Sequence, residues 1–267
     1  MLSLLGVYLG LALLAPLLRA VEHRPADAAR EAKLDLAYWL ITPLVTGTVS
    51  RAASLGLLGI AALLVGQQPV DGMAIWSAPA RVLRSWPLAA QAALALVLGD
   101  LIGYWSHRLR HRFAWRLHRI HHGAEALTAL SAARMHPLDE LIDTLAITPA
   151  LFLLGFDWTA LAIVGPATLL YTLVTHASVD WSYGKLGYIF VSPRFHRVHH
   201  LRDYGGRDGK SVNFSGVLAI WDLLFGSADF ATRLDAESRF GVEGGVPPTL
   251  LGQLTEPLNE LPAGPLR

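Results

Sequence analysis

The sequence predicts an all-α, integral-membrane helical bundle of about five spans, with a helical, histidine-rich cap on the cytoplasmic side. Hydrophobic residues make up 53% of the 267 residues and charged residues only 16%, which is more apolar than a typical water-soluble domain. Ten of the 11 histidines fall between His107 and His200. We therefore expect one membrane-embedded domain over residues 1–267, a histidine-motif core over residues 100–226, and a loose end over residues 240–267.

Five apolar runs predict the spans. They cover residues 2–18, 36–65, 88–105, 141–154 and 158–174. The second run is longer than one perpendicular crossing, because a helix rises about 1.5 Å per residue. Pro43 and Arg51 interrupt that run, so we expect a tilted or broken helix. Residues 67–86 are rich in proline and glycine and predict a loop.

The distribution of lysine and arginine predicts the orientation of the bundle. Two basic connectors, residues 19–35 and residues 108–119, follow the first and third runs. Five spans place both connectors on one side, and basic loops favour the cytoplasm. The N-terminus should then lie on the opposite side, and all the histidine motifs should emerge on the cytoplasmic face.

Composition excludes several classes of site. A formal net charge of +1 provides no concentrated basic surface, so nucleic acid is not an expected partner. The chain has no cysteine, which excludes disulfides, thiolate nucleophiles, iron–sulfur clusters and cysteine-based zinc sites. Any metal must be bound through nitrogen and oxygen ligands.

Eight histidines form three short motifs: His107-Arg-Leu-Arg-His111, His118-Arg-Ile-His121-His122 and His196-Arg-Val-His199-His200. Residues three or four apart share one face of a helix, so each motif projects its imidazoles in one direction. A straight helix would spread the first two motifs over roughly 22 Å, whereas two metals at one site lie about 4 Å apart. We therefore expect the helix to break between these motifs. Ser192 as N-cap and Pro193 as first helical residue should begin the third helix.

The number of imidazoles predicts two metal ions, because even a structural zinc takes only four ligands. Imidazole suits iron, copper, zinc and nickel, so the residues leave the element open. A basic membrane-surface patch would explain the interleaved arginines, but it does not explain why His-x-x-His-His occurs twice. The single residues His136 and His176 are further candidates, and His176 is favoured because it ends the fifth run on the same face. The candidate metal ligands are His107, His111, His118, His121, His122, His136, His176, His196, His199 and His200.

Flanking residues extend these motifs into a longer pattern. It comprises Asp100-Leu-Ile-Gly-Tyr-Trp-Ser-His107, His136-Pro-Leu-Asp-Glu140, Pro193-Arg-Phe-His196, Asn213-Phe-Ser-Gly216 and Trp221-Asp-Leu-Leu-Phe-Gly226. In order, spacing and flanking residues the pattern resembles the fatty acid hydroxylase superfamily, the sterol desaturase-like integral-membrane di-iron oxygenases.

The resemblance implies a cytoplasmic centre of two iron ions bound by histidines, with dioxygen as co-substrate. Such a centre hydroxylates or desaturates a C–H bond of a lipid held in a dry tunnel between helices, among membrane lipids. No Gly-x-Gly-x-x-Gly occurs, and no part of the chain resembles a fused cytochrome, flavin or nicotinamide domain. Electrons are therefore expected from a separate electron-transfer protein.

Several polar residues are candidates for holding the ligands in place, because a ligating imidazole usually donates its other N–H to a carboxylate or carbonyl. Asp100 lies seven residues before His107 within an apolar run, where an unpaired carboxylate is costly. We expect it to pair with a ligand imidazole or an arginine. Asp180 stands where some relatives carry a second histidine, four residues beyond His176, and is a possible ligand or supporting partner. The supporting candidates are Asp100, Asp180, Asn213 and Asp222. Asp139 and Glu140 are further candidates, but two acidic residues are equally expected in the solvent-exposed first turn of a helix.

Two alternatives come from other classes. A zinc-dependent membrane hydrolase is disfavoured, because His-Glu-x-x-His is absent and no motif contains a glutamate as general base. A metal transporter or non-catalytic metal-binding membrane protein should carry its ligands near the bilayer midplane. The predicted ligands lie instead at helix ends.

Overall fold

The computed structural model describes residues 28–64, 85–204 and 211–259, together with residues 14, 16–18, 20–22 and 83. Most of the predicted first span and of the predicted loop over residues 67–86 lie outside these ranges. Within them the regular elements are all helical, and the only β-type pairing is two isolated bridges, Phe190 with Leu218 and Leu201 with Phe240. The predicted all-α class is confirmed for this part of the chain.

The second apolar run is broken, as predicted. Helix α1 spans Ala28–Ile41, a π-helical turn follows over Thr42–Thr46, and α2 spans Gly47–Leu64. Pro43 lies in the π-helical turn. Proline has no amide hydrogen and its ring clashes with the preceding turn, so a regular α-helix cannot continue through it unchanged.

The first two histidine motifs lie on two helices that meet at a sharp break. Helix α3 spans Leu88–Phe113 and α4 spans Trp115–His122. Between them Ala114 has a non-helical backbone (φ −125°, ψ 25°). This break, predicted from the distance between the motifs, turns α4 back so that His118 contacts His107.

The next two helices are joined by a short turn, and both pack against α3 rather than mainly against each other. Helix α5 spans Pro137–Leu153 and α6 spans Trp158–His176. In the turn, Gly155 adopts a positive φ of 87°, and the Asp157 carboxylate caps α6 by accepting from the Thr159 amide at 2.7 Å. A core of Ala95, Leu151 and Phe156 joins α5 and the turn to α3.

Among the described helices, α3 and α6 are long and apolar enough to cross a bilayer. Helix α5 has 17 residues, which is the lower limit for a crossing. Both α3 and α6 carry histidines near their C-terminal ends, so the two candidate spans end beside the same cluster of imidazoles.

The remaining helices are short. They are a 3₁₀ helix over Ala129–Ala133, a 3₁₀ helix over Gly184–Tyr188, α7 over Pro193–His199, α8 over Ile220–Leu224 and α9 over Leu250–Asn259. Helix α7 begins as predicted, because the Ser192 hydroxyl accepts from the Phe195 amide at 3.2 Å and Pro193 is the first helical residue.

The chain after Phe240 is not loose where it is described, which corrects the predicted loose end. Helix α9 places Gln253 in the interior, where its side-chain carbonyl accepts from the Tyr38 hydroxyl at 3.0 Å. Glu256 forms an ion pair with Arg119 at 2.6 Å, and Leu254 packs against the main core. Residues 260–267 lie outside the described ranges.

A buried ionic cluster joins α1 to the segment after α4. Arg134 is 1% exposed, and its guanidinium bonds the Asp35 carboxylate at 2.7 Å and the Glu31 carboxylate at 2.9 Å. The Trp39 indole donates to the Leu130 carbonyl nearby. These contacts fix the segment around Arg134, whose backbone carbonyl lies 3.1 Å from His121 Nδ1.

Candidate metal centre

Nine of the ten predicted histidines meet in two neighbouring groups. Within each group the ring nitrogens that could bind a metal lie within 4.8 Å of one another, and every imidazole is buried. The five-histidine group is His107, His111, His118, His122 and His199, and the four-histidine group is His121, His176, His196 and His200. The rings of His122 and His200, one from each group, stack with centroids 4.4 Å apart, so the groups are adjacent.

Four helices build the two groups. Helix α3 supplies two imidazoles one turn apart, α4 supplies three, α6 ends at His176, and α7 with its C-cap residue His200 supplies three. On α4 the paired residues His121 and His122 point to different groups. Each His-x-x-His-His motif therefore bridges both sites, which explains why the motif ends in two adjacent histidines.

In the five-histidine group, three imidazoles have a fixed tautomer. The Nδ1 atom of His107 lies 2.7 Å from the Phe214 carbonyl, that of His199 lies 2.6 Å from the Val212 carbonyl, and that of His118 lies 2.8 Å from the Asp139 carboxylate. A carbonyl can only accept, and Asp139 also accepts from an arginine, so each Nδ1 carries the proton. Each Nε2 of the neutral ring is then a bare lone pair.

In the four-histidine group, two imidazoles likewise carry their proton on Nδ1. The Nδ1 atoms of His121 and His176 donate to the Arg134 and Thr172 carbonyls at 3.1 Å and 2.8 Å. Their Nε2 atoms are therefore also bare, and they lie 3.3 Å apart. The carbonyl acceptors of both groups could not be found from sequence, since every residue carries a carbonyl and no side-chain type marks its use.

The bare nitrogens lie at the spacing of ligands on one cation. The Nε2 of His107 is 3.0 Å from the Nε2 atoms of both His118 and His199. No hydrogen bond can form between two lone pairs, so these nitrogens repel each other. Two nitrogens bound to one metal at about 2.1 Å lie roughly 3.0–3.4 Å apart at octahedral or tetrahedral angles. A cation bound by both lone pairs would therefore remove the repulsion.

Unpartnered nitrogens give a second indication. Among the described residues, both ring nitrogens of His111 and of His122 lack a hydrogen-bond partner, as do the Nδ1 atoms of His196 and His200. Buried polar atoms are normally paired. The donor set is therefore compatible with a metal centre.

Burial keeps these imidazoles in the form that binds metal. Desolvation, followed by neighbouring positive charge, lowers the pKa of five of them well below the usual value; these are His118, His121, His122, His196 and His200. Desolvation likewise lowers the pKa of His199 to about 4. Near pH 7 these rings are neutral and do not have to release a proton on metal binding.

Two predicted candidates lie outside both groups. His136 is the N-cap of α5, where its Nδ1 accepts from the Leu138 amide at 3.1 Å and its Nε2 contacts the Leu254 carbonyl at 3.1 Å. Both ring nitrogens are therefore occupied by the protein. Asp180 forms a bidentate ion pair with Arg194, with an Nη2–Oδ2 distance of 2.7 Å, and its side chain is 51% exposed. It supports the first turn of α7 rather than an imidazole.

Asp139 supports a histidine directly. Its buried carboxylate accepts from His118 Nδ1 and, at 3.0 Å, from Arg110 Nη1. The other Arg110 terminal nitrogen bonds Asp143 at 3.2 Å. Arg110 was not predicted, because it is one of several arginines interleaved with the motifs and only its burial distinguishes it. Glu140 is not in either group and contacts no histidine among the described hydrogen bonds.

A strap over residues 212–215 supplies the acceptors for His199 and His107, and Asp222 holds this strap. The Asp222 carboxylate accepts from the Phe214 amide at 2.8 Å, from the Ser215 amide at 2.9 Å and from the Ser227 hydroxyl at 2.6 Å. Asn213 adopts a positive φ of 59° and fastens the strap to α7 by donating to the Phe195 carbonyl. Asp222 and Asn213 thus act on the histidines through the backbone.

Asp100 has partners other than those expected. Its carboxylate accepts from the Val217 and Leu218 amides at 2.9 Å and 2.8 Å and from the Trp221 indole at 3.0 Å, and it bonds neither an imidazole nor an arginine. The expectation failed because backbone amides can satisfy a buried carboxylate as well as charged side chains can. Asp100 fastens the segment that follows the strap to α3.

A groove of about 610 Å³ lies between α3 and α5, lined by residues such as Leu101, Leu109, Ile142 and Ala146. At about 100° per residue, Leu109 points roughly 160° away from His107. Leu109 therefore faces away from His107, but Arg110 also lines the groove and bonds Asp139 beside His118.

Comparison with known proteins assigns the family. A family model described as fatty acid hydroxylase matches residues 92–227. The chain belongs to the fatty acid hydroxylase family. The match begins within α3 and extends past α8, so it includes all nine clustered histidines. The resemblance stated from the motifs is confirmed.

Named relatives of this fatty acid hydroxylase family member act on lipids. The chain is 32% identical over 227 residues to the ornithine lipid hydroxylase OlsE of Rhizobium tropici, covering 84% of this chain and 65% of that protein. It is 30% identical over 154 residues to the alkylglycerol monooxygenase of Danio rerio, covering 56% and 32%, and 34% identical over 127 residues to the human alkylglycerol monooxygenase, covering 46% and 27%. The chain thus spans about two thirds or less of these relatives. No solved structure gives a significant match.

The strap predicts a selective effect of Asp222→Asn. The amide keeps one acceptor but turns an N–H₂ towards either the Phe214 or the Ser215 amide, so the carbonyls facing His107 and His199 should shift. We expect metal affinity at the five-histidine group to fall roughly 10–100-fold, with the four-histidine group unchanged. Chelator-competition titration resolves the two affinities.

Asp235→Asn is the matched control, because the exposed Asp235 carboxylate accepts from the Glu237 amide and the Ser238 hydroxyl and from no strap residue. Equal weakening of both groups by Asp222→Asn, or no change at either, would show that Asp222 does not act through the strap.

Proposed function

We propose that the protein oxidises a C–H bond of a lipid with dioxygen at a centre of two iron ions, by hydroxylation or desaturation. One ion would be held by the five-histidine group and the other by the four-histidine group. The observation that carries this proposal is the convergence of bare Nε2 atoms 3.0 Å apart in a buried site. Family membership supplies the reaction class.

Two arguments support two ions and iron. Each group alone offers at least four nitrogens, which is a full set for one ion, and adjacent groups fit a two-metal site with a separation of about 4 Å. Imidazole ligands accept several metals, so the choice of iron rests on the family. A bound pair of iron ions supplies the redox chemistry that activates dioxygen toward a C–H bond.

The residues of the chain have distinct tasks in this reaction. The Val212, Phe214, Arg134 and Thr172 carbonyls keep the protons of four imidazoles on Nδ1, and Asp139 does the same for His118. Arg110 neutralises Asp139. The burial of all nine rings excludes bulk water, which protects a strong oxidant from side reactions.

An oxygenase reaction of this kind needs a lipid substrate and a source of electrons. The relatives named above carry ornithine lipid and alkylglycerol in their names, which supports a lipid substrate that reaches the protein from the surrounding membrane lipids. Reduction of dioxygen needs electrons that the lipid alone does not supply in a hydroxylation. A separate electron-transfer protein is the proposed source.

The proposed setting is a multi-pass membrane protein of about five spans, forming one domain over residues 1–267 with its core over residues 100–226. The candidate spans α3 and α6 both end at the histidines, which supports a cap on one face of the bilayer. The basic residues around that cap support the cytoplasmic face.

The alternatives fit the geometry less well. Both groups consist of histidines alone, so among the described residues no carboxylate lies within either group to act as the general base of a zinc hydrolase. The groups also lie at the ends of α3 and α6 rather than at mid-helix. A transport site would favour the bilayer midplane.

Ligand substitution tests the function. We expect His111→Gln and His200→Gln each to reduce dioxygen-dependent lipid oxidation to background and to lower metal content from about two ions per chain towards one, because each removes a ligand from a different group. Oxygen uptake, mass spectrometry of the lipids and metal analysis measure these effects. His136→Asn preserves an N-cap acceptor and should retain both metals and turnover; full activity in both ligand variants would refute the proposal.

Topology is tested separately with reporters. A reporter fused after Arg267 should lie in the cytoplasm and one fused before Met1 on the opposite side, because an odd number of spans separates the termini. Two termini on the same side would exclude five spans, and a C-terminal reporter outside the cytoplasm would exclude the proposed orientation.

A further inference from the structure

Two segments of the cap expose large apolar side chains although neither is a spanning helix. Around the second 3₁₀ helix, Leu186 is 59% exposed, Tyr188 53%, Ile189 45% and Phe190 40%. On α8, Leu223 is 47% and Leu224 68% exposed. We call these six residues the apolar patch. A contiguous patch of this kind marks a contact surface rather than ordinary surface scatter.

Backbone pairing makes the two segments one unit. Phe190 forms a β-bridge with Leu218, the Ala219 amide donates to the Ile189 carbonyl at 2.9 Å, and the Val191 amide donates to the Val217 carbonyl at 2.8 Å. Helix α8 begins directly after this pairing. The apolar side chains of both segments therefore belong to one rigid surface.

Asp100 sets the depth of this unit relative to α3. Residues 88–107 of α3 cover about 30 Å, the thickness of the hydrocarbon core, and Asp100 lies about 10 Å inside that stretch. Its carboxylate bonds the Val217 and Leu218 amides and the Trp221 indole. The paired segments are thus held below the end of the apolar part of α3, not above it.

Two further contacts with α3 lie about one to two turns beyond Asp100, towards the histidines. The Phe225 ring lies 4.9 Å from the Trp105 ring, and the Phe225 carbonyl accepts from Arg108 at 3.3 Å. Trp105 is itself 41% exposed on the candidate span. Tryptophan and arginine are typical of the boundary between hydrocarbon and headgroups, so the patch continues the exposed surface of α3 at this level.

We propose that the apolar patch inserts into the lipid interface beside α3, so that the cap is partly embedded in the bilayer. The occupant of this surface is the upper part of the lipid hydrocarbon, because the Asp100 contacts hold the unit at that depth and an interfacial element typically enters about 5–10 Å. The inference depends on α3 crossing the membrane but not on the oxidation chemistry. It also explains why a polar segment of the sequence carries two clusters of exposed large apolar residues.

Single-cysteine labelling tests the proposal, and the chain has no cysteine of its own. Ile189→Cys and Leu224→Cys, each carrying a bimane fluorophore, are placed with the full-length protein in lipid nanodiscs. We expect strong quenching by phosphatidylcholine brominated near the top of its acyl chains, and quenching by aqueous iodide several-fold weaker than at an exposed site. Ala236→Cys, on an exposed loop residue, gives that aqueous reference.

Ile163→Cys is the membrane reference, because Ile163 is 49% exposed on the candidate span α6. Quenching of Ile163 but not of the two patch positions by brominated lipid, with iodide quenching like that of Ala236, would overturn the insertion. Protection of the patch from both quenchers would also overturn it, since another protein surface would then cover the patch. Failure at Ile163 itself would contradict the membrane setting instead.

Discussion

The tautomer of the buried imidazoles is the constraint on which the rest of this structure depends. Because Nδ1–H of His107 and of His199 donates to a backbone carbonyl, the opposite nitrogen of each neutral ring carries a lone pair. The same holds for His118, His121 and His176. Lone pairs brought this close repel one another, so the arrangement is stable as a site for cations and costly without them.

Much of the fold serves to hold the acceptors of these protons. The Arg134 ionic cluster with Asp35 fixes one carbonyl, and the strap held by Asp222 fixes two more. Asp100 fastens the following segment to α3. Asp35 and Asp222 bond no imidazole, yet each helps to position a backbone carbonyl that accepts from one. The Arg134, Val212 and Phe214 carbonyls lie outside the α-helices, whereas Asp139 and the Thr172 carbonyl lie within them.

Sequence reasoning predicted the parts of the site that depend on side-chain spacing. The motif spacing required a helix break, which lies at Ala114. Ser192 and Pro193 marked the start of α7. The position of His176 at the end of an apolar run predicted that it would lie among the other imidazoles. Sequence reasoning could not predict backbone acceptors, because a carbonyl carries no residue identity. His136 shows a related limit: a histidine before proline can cap a helix as well as bind a metal, and only three-dimensional contacts distinguish these uses. Short α9, flanked by proline and glycine, gave too weak a periodic signal to predict its packing.

The central claim is that the bare nitrogens of the two groups hold two separate metal ions. An anomalous difference map recorded at the iron absorption edge from crystals of the purified protein tests it most directly. The account predicts two peaks about 4 Å apart, one beside the Nε2 atoms of His107 and His199 and the other beside those of His121 and His176. A single peak, or no peak within bonding distance of these nitrogens, would contradict it.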